Sequence, residues 1–169
     1  MTLGRSLFFL LSLALVSSYA TGAEKWFDGV TCNTDIPSAL IGRHTPNDRV
    51  VTIEGRYKNI GLENHGAFGI EEEGDPWTLT FWQICGREYL LLERRSVVKD
   101  VLMSPLPKEN PASKIVSCDV DDTNSYSTAI TFIPSEETPW PKQVKQAWIV
   151  DDKKLKFSKI EGKKIVCNP

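Results

Sequence analysis

The sequence predicts an α+β domain, in which a single short N-terminal helix packs on a twisted antiparallel β-sheet and two disulfides tie the chain together. Three observations support this class: one helical stripe near the start, several alternating apolar runs, and four scattered cysteines. The clearest runs are at the carboxy end. Trp148 and Val150 share one parity there, and Leu155 and Phe157 share one after a polar stretch. A period of two residues is what a strand with one buried face requires, so these runs predict a hairpin.

The predicted helix begins shortly after the first cysteine. Ile36, Ala39 and Leu40 recur at helical spacing, Asp35 is a good residue to cap the start, and Gly42 is a good residue to end it. Because the helix is short, packing against the sheet has to hold it in place.

One central segment alternates with unusual clarity. Trp77, Leu79 and Phe81 fall on one parity, whereas Trp82 and Ile84 fall on the other. This pattern predicts a strand with apolar side chains on both faces.

The other strands are less sharply marked. Residues 96–103 fit either a short amphipathic helix or an irregular strand pair, because Val97, Val98, Val101 and Leu102 suit both. The remaining predicted strands are residues 50–53, 67–70, 89–92, 115–118 and 127–133.

The amino terminus, residues 1–23, has the layout of a secretory signal peptide. Arg5 precedes a continuous apolar run, and Ala20 or Ala23 offers a cleavage site. The run of about ten residues is too short to cross the ~30 Å hydrocarbon core of a bilayer. We therefore expect a secreted protein that has no membrane anchor after cleavage, whose mature part, residues 24–169, forms one domain.

The four cysteines are Cys32, Cys85, Cys118 and Cys167. An even number of cysteines in a secreted chain predicts disulfides, and three pairings are open. The favoured pairing joins Cys32 to Cys167 and Cys85 to Cys118, because nesting a short loop inside a long one avoids threading. Zinc sites usually need closely spaced ligand pairs, so neither a metal nor another cofactor is expected.

The charge of the chain is slightly acidic, with a formal net value of −2, which argues against a general polyanion binder. Lysines nevertheless gather near the carboxy end, where they are predicted to contact phosphates or an acidic partner. The alternative is the solvated face of an edge ribbon. The candidate binding residues are Lys153, Lys154, Lys156, Lys163 and Lys164, together with Trp140 between two prolines.

Two histidines are available for proton transfer near neutral pH. His44 follows the predicted helix and suits a solvated cation at its carboxy end. His65 suits a turn, and the alternative is an acid–base couple with one of the glutamates at 71–73.

Two parts of the chain resemble the small secreted fungal ribonucleases that prefer guanine. Residues 32–43, from the first cysteine to Gly42-Arg43, look like the helix of that family. The carboxy end looks like its last two strands, with Pro141, an apolar strand, a polar turn, a second strand and a terminal cysteine in the same order. Residues 87–124 match nothing in the family and are expected to be an insertion.

The catalytic groups of that family are missing from the matching positions. The family uses a histidine in a loop, a glutamate in a central strand, an arginine in the next strand and a histidine late in the last one. This chain has Tyr57 after Gly-Arg, then Thr78 and Thr80, then Gln146, then Ile160. The resemblance therefore implies a ribonuclease scaffold without its catalytic residues.

A second group fits that description, namely the inactive ribonuclease-like effectors of powdery mildews. The resemblance to them implies a secreted fungal virulence protein that binds a host protein or host RNA, with a plant immune receptor as a further partner, and we expect a monomer. Three alternatives stay open: an active secreted endoribonuclease that depends on His65, a lipocalin-like barrel that holds a small ligand, and a protease inhibitor.

Overall fold

The computed structural model of the protein describes residues 26–45, 47–70, 76–106, 113–120, 129–134, 142–151 and 153–167. The predicted signal peptide, residues 1–23, and Trp140 lie outside the described residues. The chain is an α+β protein with few helices and two antiparallel β-sheets. None of the helices in the described part reaches the length and apolar character that crossing a membrane requires.

A layer of short helices follows the first cysteine. Helix α1 spans Ile36–Leu40, as predicted, and helix α2 spans Val50–Arg56 and leads into a 3₁₀ turn at Lys58–Ile60. The predicted strand at 50–53 is therefore wrong. Ile53, Tyr57 and Ile60 are buried in this segment and follow a helical rather than a two-residue spacing. Packing of this stripe outweighs the β-propensity of the preceding valines, which stay exposed.

The first sheet is an antiparallel meander of four strands. Its strands are β1 Glu63–Ile70, β2 Trp77–Ile84, β3 Arg87–Arg94 and β4 Val97–Met103, and they lie side by side in that order. Residues 96–103 thus form a strand rather than a helix.

The alternation predicted for β2 is confirmed. Trp82 and Ile84 pack against the helical layer, whereas Trp77, Leu79 and Phe81 pack on the opposite face.

The second sheet closes on itself. Its strands are β5 Ser113–Val120, β6 Ala129–Pro134, β7 Lys142–Asp151 and β8 Lys156–Cys167. Strands β7 and β8 form the predicted carboxy-terminal hairpin. The closure between β5 and β8 consists of three residue pairs near the end of the chain.

The protein is built in three layers rather than as one helix on one sheet. The helical layer and the first sheet enclose one core, in which the Trp26 and Trp82 rings meet edge to face at 5.3 Å. The two sheets enclose a second core, where Phe132 lies 6.2 Å from Phe81 and 5.9 Å from Trp148 between ring centroids. A third, smaller cluster fills the second sheet. The carboxy-terminal hairpin is therefore part of the second sheet.

The disulfides join Cys32 to Cys85 and Cys118 to Cys167, so the predicted nested pairing is wrong. The nested pairing was favoured because it avoids threading, and it would require the two ends of the mature chain to meet. Instead the first half of the chain forms the helical layer and the first sheet, and the second half forms the second sheet. Each disulfide closes its own half, across separations of 53 and 49 residues.

Candidate binding surface

Three of the candidate lysines lie together at the tip of the β7–β8 hairpin. Lys153 and Lys154 are in the turn, Lys156 begins β8, and all three are exposed. The Asp151 carboxylate accepts hydrogen bonds from the Lys154 backbone and ammonium groups, both at 2.9 Å. These bonds, with the side-chain bond as the larger cause, lower the pKa of Asp151 below its ordinary value. The bonds to Asp151 thus fix the conformation of the turn. Its positively charged residues outnumber its negatively charged ones. We call Lys153, Lys154 and Lys156 the lysine turn.

The apolar side chains of the hairpin hold the lysine turn in place. Leu155 and Phe157 are half-buried against the core between the two sheets, as their parity predicted. The Phe157 amide donates to Asp100 Oδ2 at 2.7 Å, and the Val101 amide donates to Asp100 Oδ1 at 3.0 Å. Asp100 therefore ties the hairpin to strand β4 of the first sheet. The sequence does not indicate that Asp100 has this role, because an aspartate inside a predicted strand is expected to be exposed to solvent.

Lys163 and Lys164 do not join this cluster. They lie in β8, seven and eight residues beyond Lys156, and a strand of that length covers about 23 Å. Their side chains and Trp140 are outside what the structure describes. The lysine turn is therefore the part of the predicted patch whose side chains the structure describes.

His65 lies between two carboxylates on the first sheet. Its Nδ1 is 3.5 Å from Glu88 Oε1 on β3, and its Nε2 is 3.9 Å from Glu63 Oε2 on its own strand. The ring packs edge-on against Phe81, with 5.4 Å between centroids. The predicted glutamate partners at 71–73 lie outside the described residues. Glu88 was missed because it flanks an apolar run, and periodicity alone does not show whether such a carboxylate is buried.

The positions that match the catalytic residues of the guanine-preferring ribonucleases do not converge. Thr78 and Thr80 lie on β2 of the first sheet, whereas Gln146 and Ile160 lie on β7 and β8 of the second. A phosphodiester transfer needs its acid, base and phosphate-binding cation within contact of one group. Tyr57, at the matching loop position, caps the end of α2, so these five residues offer neutral side chains on the helical layer and on two separate sheets.

Glu93 is a buried carboxyl that the sequence also left unmarked. It is 6% exposed, and its Oε2 accepts a hydrogen bond from the Thr45 hydroxyl. Its Oε1 has no hydrogen-bond partner in the described part of the chain. Burial is the main cause that raises the pKa of Glu93 above its ordinary value of 4.5.

Replacement of Glu93 by glutamine is expected to raise the free energy of unfolding at neutral pH by about 1–3 kcal/mol. The folded-state pKa of Glu93 lies above the unfolded value. The stability that the protonated carboxyl contributes is therefore fully present below about pH 4.5 and is lost as the pH rises through the folded-state pKa. The glutamine side chain is neutral at every pH, so the variant keeps this stability at the pH values where the wild type loses it.

Denaturant unfolding of both proteins between about pH 4 and pH 8 checks this prediction. The gap in stability between the Glu93→Gln variant and the wild type should widen as the pH rises. A gap for Glu93→Gln that does not change with pH would contradict the buried, raised-pKa carboxyl.

No protein-family model, no curated protein and no solved structure matches the chain. No group of three or more His, Cys, Asp or Glu side chains in the described residues is arranged to hold a metal ion. The function of the lysine turn, and that of His65 with Glu63 and Glu88, therefore has to be inferred from the chemistry of these residues.

Proposed function

We propose that the protein is a secreted interaction protein that binds an anionic host component, an RNA or an acidic protein surface, through the lysine turn and does not cleave RNA. The observation that carries the proposal is the geometry of the hairpin tip. Three exposed ammonium groups project from a turn whose apolar residues and Asp100 contact fix it on the sheets. A turn whose backbone is already fixed loses little backbone entropy on binding, which favours recognition of phosphates or carboxylates by its lysines.

The wider assignment, a virulence effector on a ribonuclease-like scaffold, is also our proposal. It draws support from the helical layer on the four-stranded first sheet and from the two disulfides, which fit a secreted protein. By the resemblance, the bound component belongs to a plant cell, and a plant immune receptor is a second partner.

Two alternative functions differ in their support. A lipocalin-like binder needs a closed sheet wide enough to hold a ligand, whereas the closed second sheet has four strands and is filled by its own side chains. An active endoribonuclease has one specific observation in its favour, because a histidine between two carboxylates is a usable acid–base group.

Incubation of the purified mature protein with guanine-rich single-stranded RNA tests the absence of cleavage. We expect the RNA to remain intact, because the neutral residues at the four matching positions supply neither an acid nor a base. A His65→Gln variant processed in parallel controls for contaminating nucleases. Cleavage after guanine by the wild type that disappears in His65→Gln would overturn the proposal in favour of the endoribonuclease.

A further inference from the structure

The loop after α1 is held against the outer edge of β4. The Gly42 amide donates to the Val98 carbonyl at 2.8 Å, and the Val98 amide donates to the Arg43 carbonyl at 2.9 Å. His44 continues this contact as an isolated bridge to Val97. Gly42 has a φ of +86°, a conformation that favours glycine, and the chain turns there from the helix to the strand. The backbone on both sides of Arg43 is therefore fixed.

The Arg43 guanidinium group is also held in place. Its Nη1 donates to the Trp26 carbonyl at 3.2 Å and to the Asp28 carbonyl at 2.5 Å. These carbonyls belong to the turn before the first cysteine, where Trp26 and Phe27 are buried in the core beneath the helical layer. Both ends of the Arg43 side chain are thus attached to packed parts of the molecule, so its orientation is set before any ligand binds.

The rest of the Arg43 guanidinium group has no partner in the described part of the chain. The two carbonyls account for the two hydrogens of Nη1, which leaves three N–H donors on Nε and Nη2. No carboxylate of the described residues lies within ion-pair distance of this group. The Asp28 carboxylate instead accepts a hydrogen bond from the Tyr57 hydroxyl at 2.8 Å. Arg43 is therefore a half-buried cation whose remaining donors are available to an anion from outside.

Arg43 lines an open groove of about 580 Å³, a size that is typical of small-molecule sites. Ile41 is 48% exposed and gives the groove an apolar wall. The Ser38 hydroxyl is donated to Asp35 Oδ2 at 2.5 Å, so it does not offer its hydrogen to a ligand. The described residues that line the groove are Ser38, Ala39, Ile41, Gly42, Arg43 and His44.

We propose that this groove binds a small organic monocarboxylate, with the carboxylate on Nε and Nη2 of Arg43 and an apolar substituent against Ile41. Two parallel N–H groups on one edge of a guanidinium match the two oxygens of a carboxylate, and such bidentate pairs are strong contacts. Because the side chain is already oriented, little further order is needed on binding. Among the described lining residues only Arg43 is permanently charged, which suits a single negative charge better than a phosphate dianion.

This groove is distinct from the lysine turn. Arg43 is tied to the turn before the first cysteine, whereas the lysine turn is tied to β4 through Asp100. The variant in which all three lysines of that turn become serine should therefore bind the carboxylate as the wild type does. Loss of carboxylate binding in that variant would place the ligand at the hairpin and overturn the proposal.

Titration of the full mature protein with 4-methylpentanoate, followed by NMR of the nitrogen-bound protons, tests the site. We expect saturable binding with a Kd of about 1 mM, in keeping with the small size of the probe. The Arg43 Nε–H resonance and the backbone amides of 41–44 should shift together. The neutral amide, 4-methylpentanamide, has the same shape without the charge and should bind about tenfold more weakly.

Two variants separate the contact to the carboxylate from the contact to its apolar substituent. Arg43→Lys keeps the positive charge but lacks the planar pair of donors, and it should bind 4-methylpentanoate about tenfold more weakly. Ile41→Ser changes an exposed side chain, so it tests the groove even where Arg43→Lys fails to fold. It should weaken 4-methylpentanoate several-fold and leave acetate binding unchanged. Val51→Ser, at a position 70% exposed on α2, is the matched control and should bind as the wild type does.

A purely structural role for Arg43, as a tie between the loop and the first turn, predicts that no carboxylate shifts its Nε–H resonance. That result would overturn the proposal, and so would equal affinity for the acid and its amide. Inorganic phosphate provides the remaining comparison. Tighter binding of phosphate than of acetate would contradict a monocarboxylate site.

Discussion

Replacing Cys118 and Cys167 together by alanine is expected to lower the free energy of unfolding by about 4 kcal/mol. The disulfide closes a loop with a sequence separation of 49 residues, and its loss restores that freedom to the unfolded chain. The closure of the second sheet between β5 and β8 otherwise consists of the residue pairs of Cys118, Asp119 and Val120. Alanine is the appropriate substitute because both cysteines are buried in the cluster that fills this sheet.

Denaturant unfolding measures the loss, and amide hydrogen exchange shows where the structure loosens. We expect exchange to rise first at 118–120 and 165–167, while β2 and β3 keep their protection. The reciprocal variant, Cys32→Ala with Cys85→Ala, should loosen the helical layer and leave the second sheet protected. Peptide mapping without reduction gives the sharpest check. A fragment that joins Cys32 to Cys167 would contradict the observed pairing and restore the nested one.

Replacing Lys153, Lys154 and Lys156 together by serine is expected to remove most of the affinity for single-stranded RNA. Each lysine that contacts a phosphate releases a counterion and adds about 0.7 to the slope of log affinity against log salt. Three such contacts give a slope of about 2. They make the wild-type affinity fall roughly 20-fold between about 50 and 200 mM salt. The exposed turn is held by Leu155 and Phe157, so the substitutions should leave the free energy of unfolding almost unchanged.

The parts of the fold that were predicted from the sequence are those in which the apolar residues follow a single periodicity. The two parities of β2 lie on opposite faces of the strand, as predicted, and the carboxy-terminal hairpin was predicted with its apolar pair packed inwards. In both places the alternation extends over a full strand and local turn chemistry agrees with it. The segment at 50–53 failed because its valines favour strands, whereas Ile53 and Tyr57 are buried as one helical stripe.

The pairing of the cysteines and the buried carboxyls could not be derived in the same way. Cysteine spacing restricts the connectivity to three choices and does not decide among them, so the predicted pairing depended on the assumption that a nested arrangement avoids threading. Glu88 and Glu93 flank the apolar run of β3, where a charged residue normally marks the solvated end of a strand. Their burial depends on partners that are distant in sequence: Thr45 bonds to Glu93, and His65 lies beside Glu88.

The candidate site was predicted in part. The parity of Leu155 and Phe157 placed Lys154 and Lys156 on the solvent side, and both are exposed. Parity does not show how far apart two residues lie along a strand. Lys163 and Lys164 were therefore assigned to the same patch as the turn, although most of β8 separates them from it. The contact of Asp100 with Phe157 joins residues 57 positions apart and has no local signature.

The salt dependence of RNA binding by the wild type and by the lysine-turn variant is the most direct test of the proposed function. Titration of a labelled guanine-rich single strand at several salt concentrations gives both affinities and slopes, and the intact length of the RNA is read from the same samples. A variant in which Arg49 and Lys58 of the helical layer become serine controls for general charge. We predict uncut RNA, a slope lower by about 2 in the lysine-turn variant, and little change in the control. Equal slopes and affinities for the wild type and the lysine-turn variant would contradict binding through this turn.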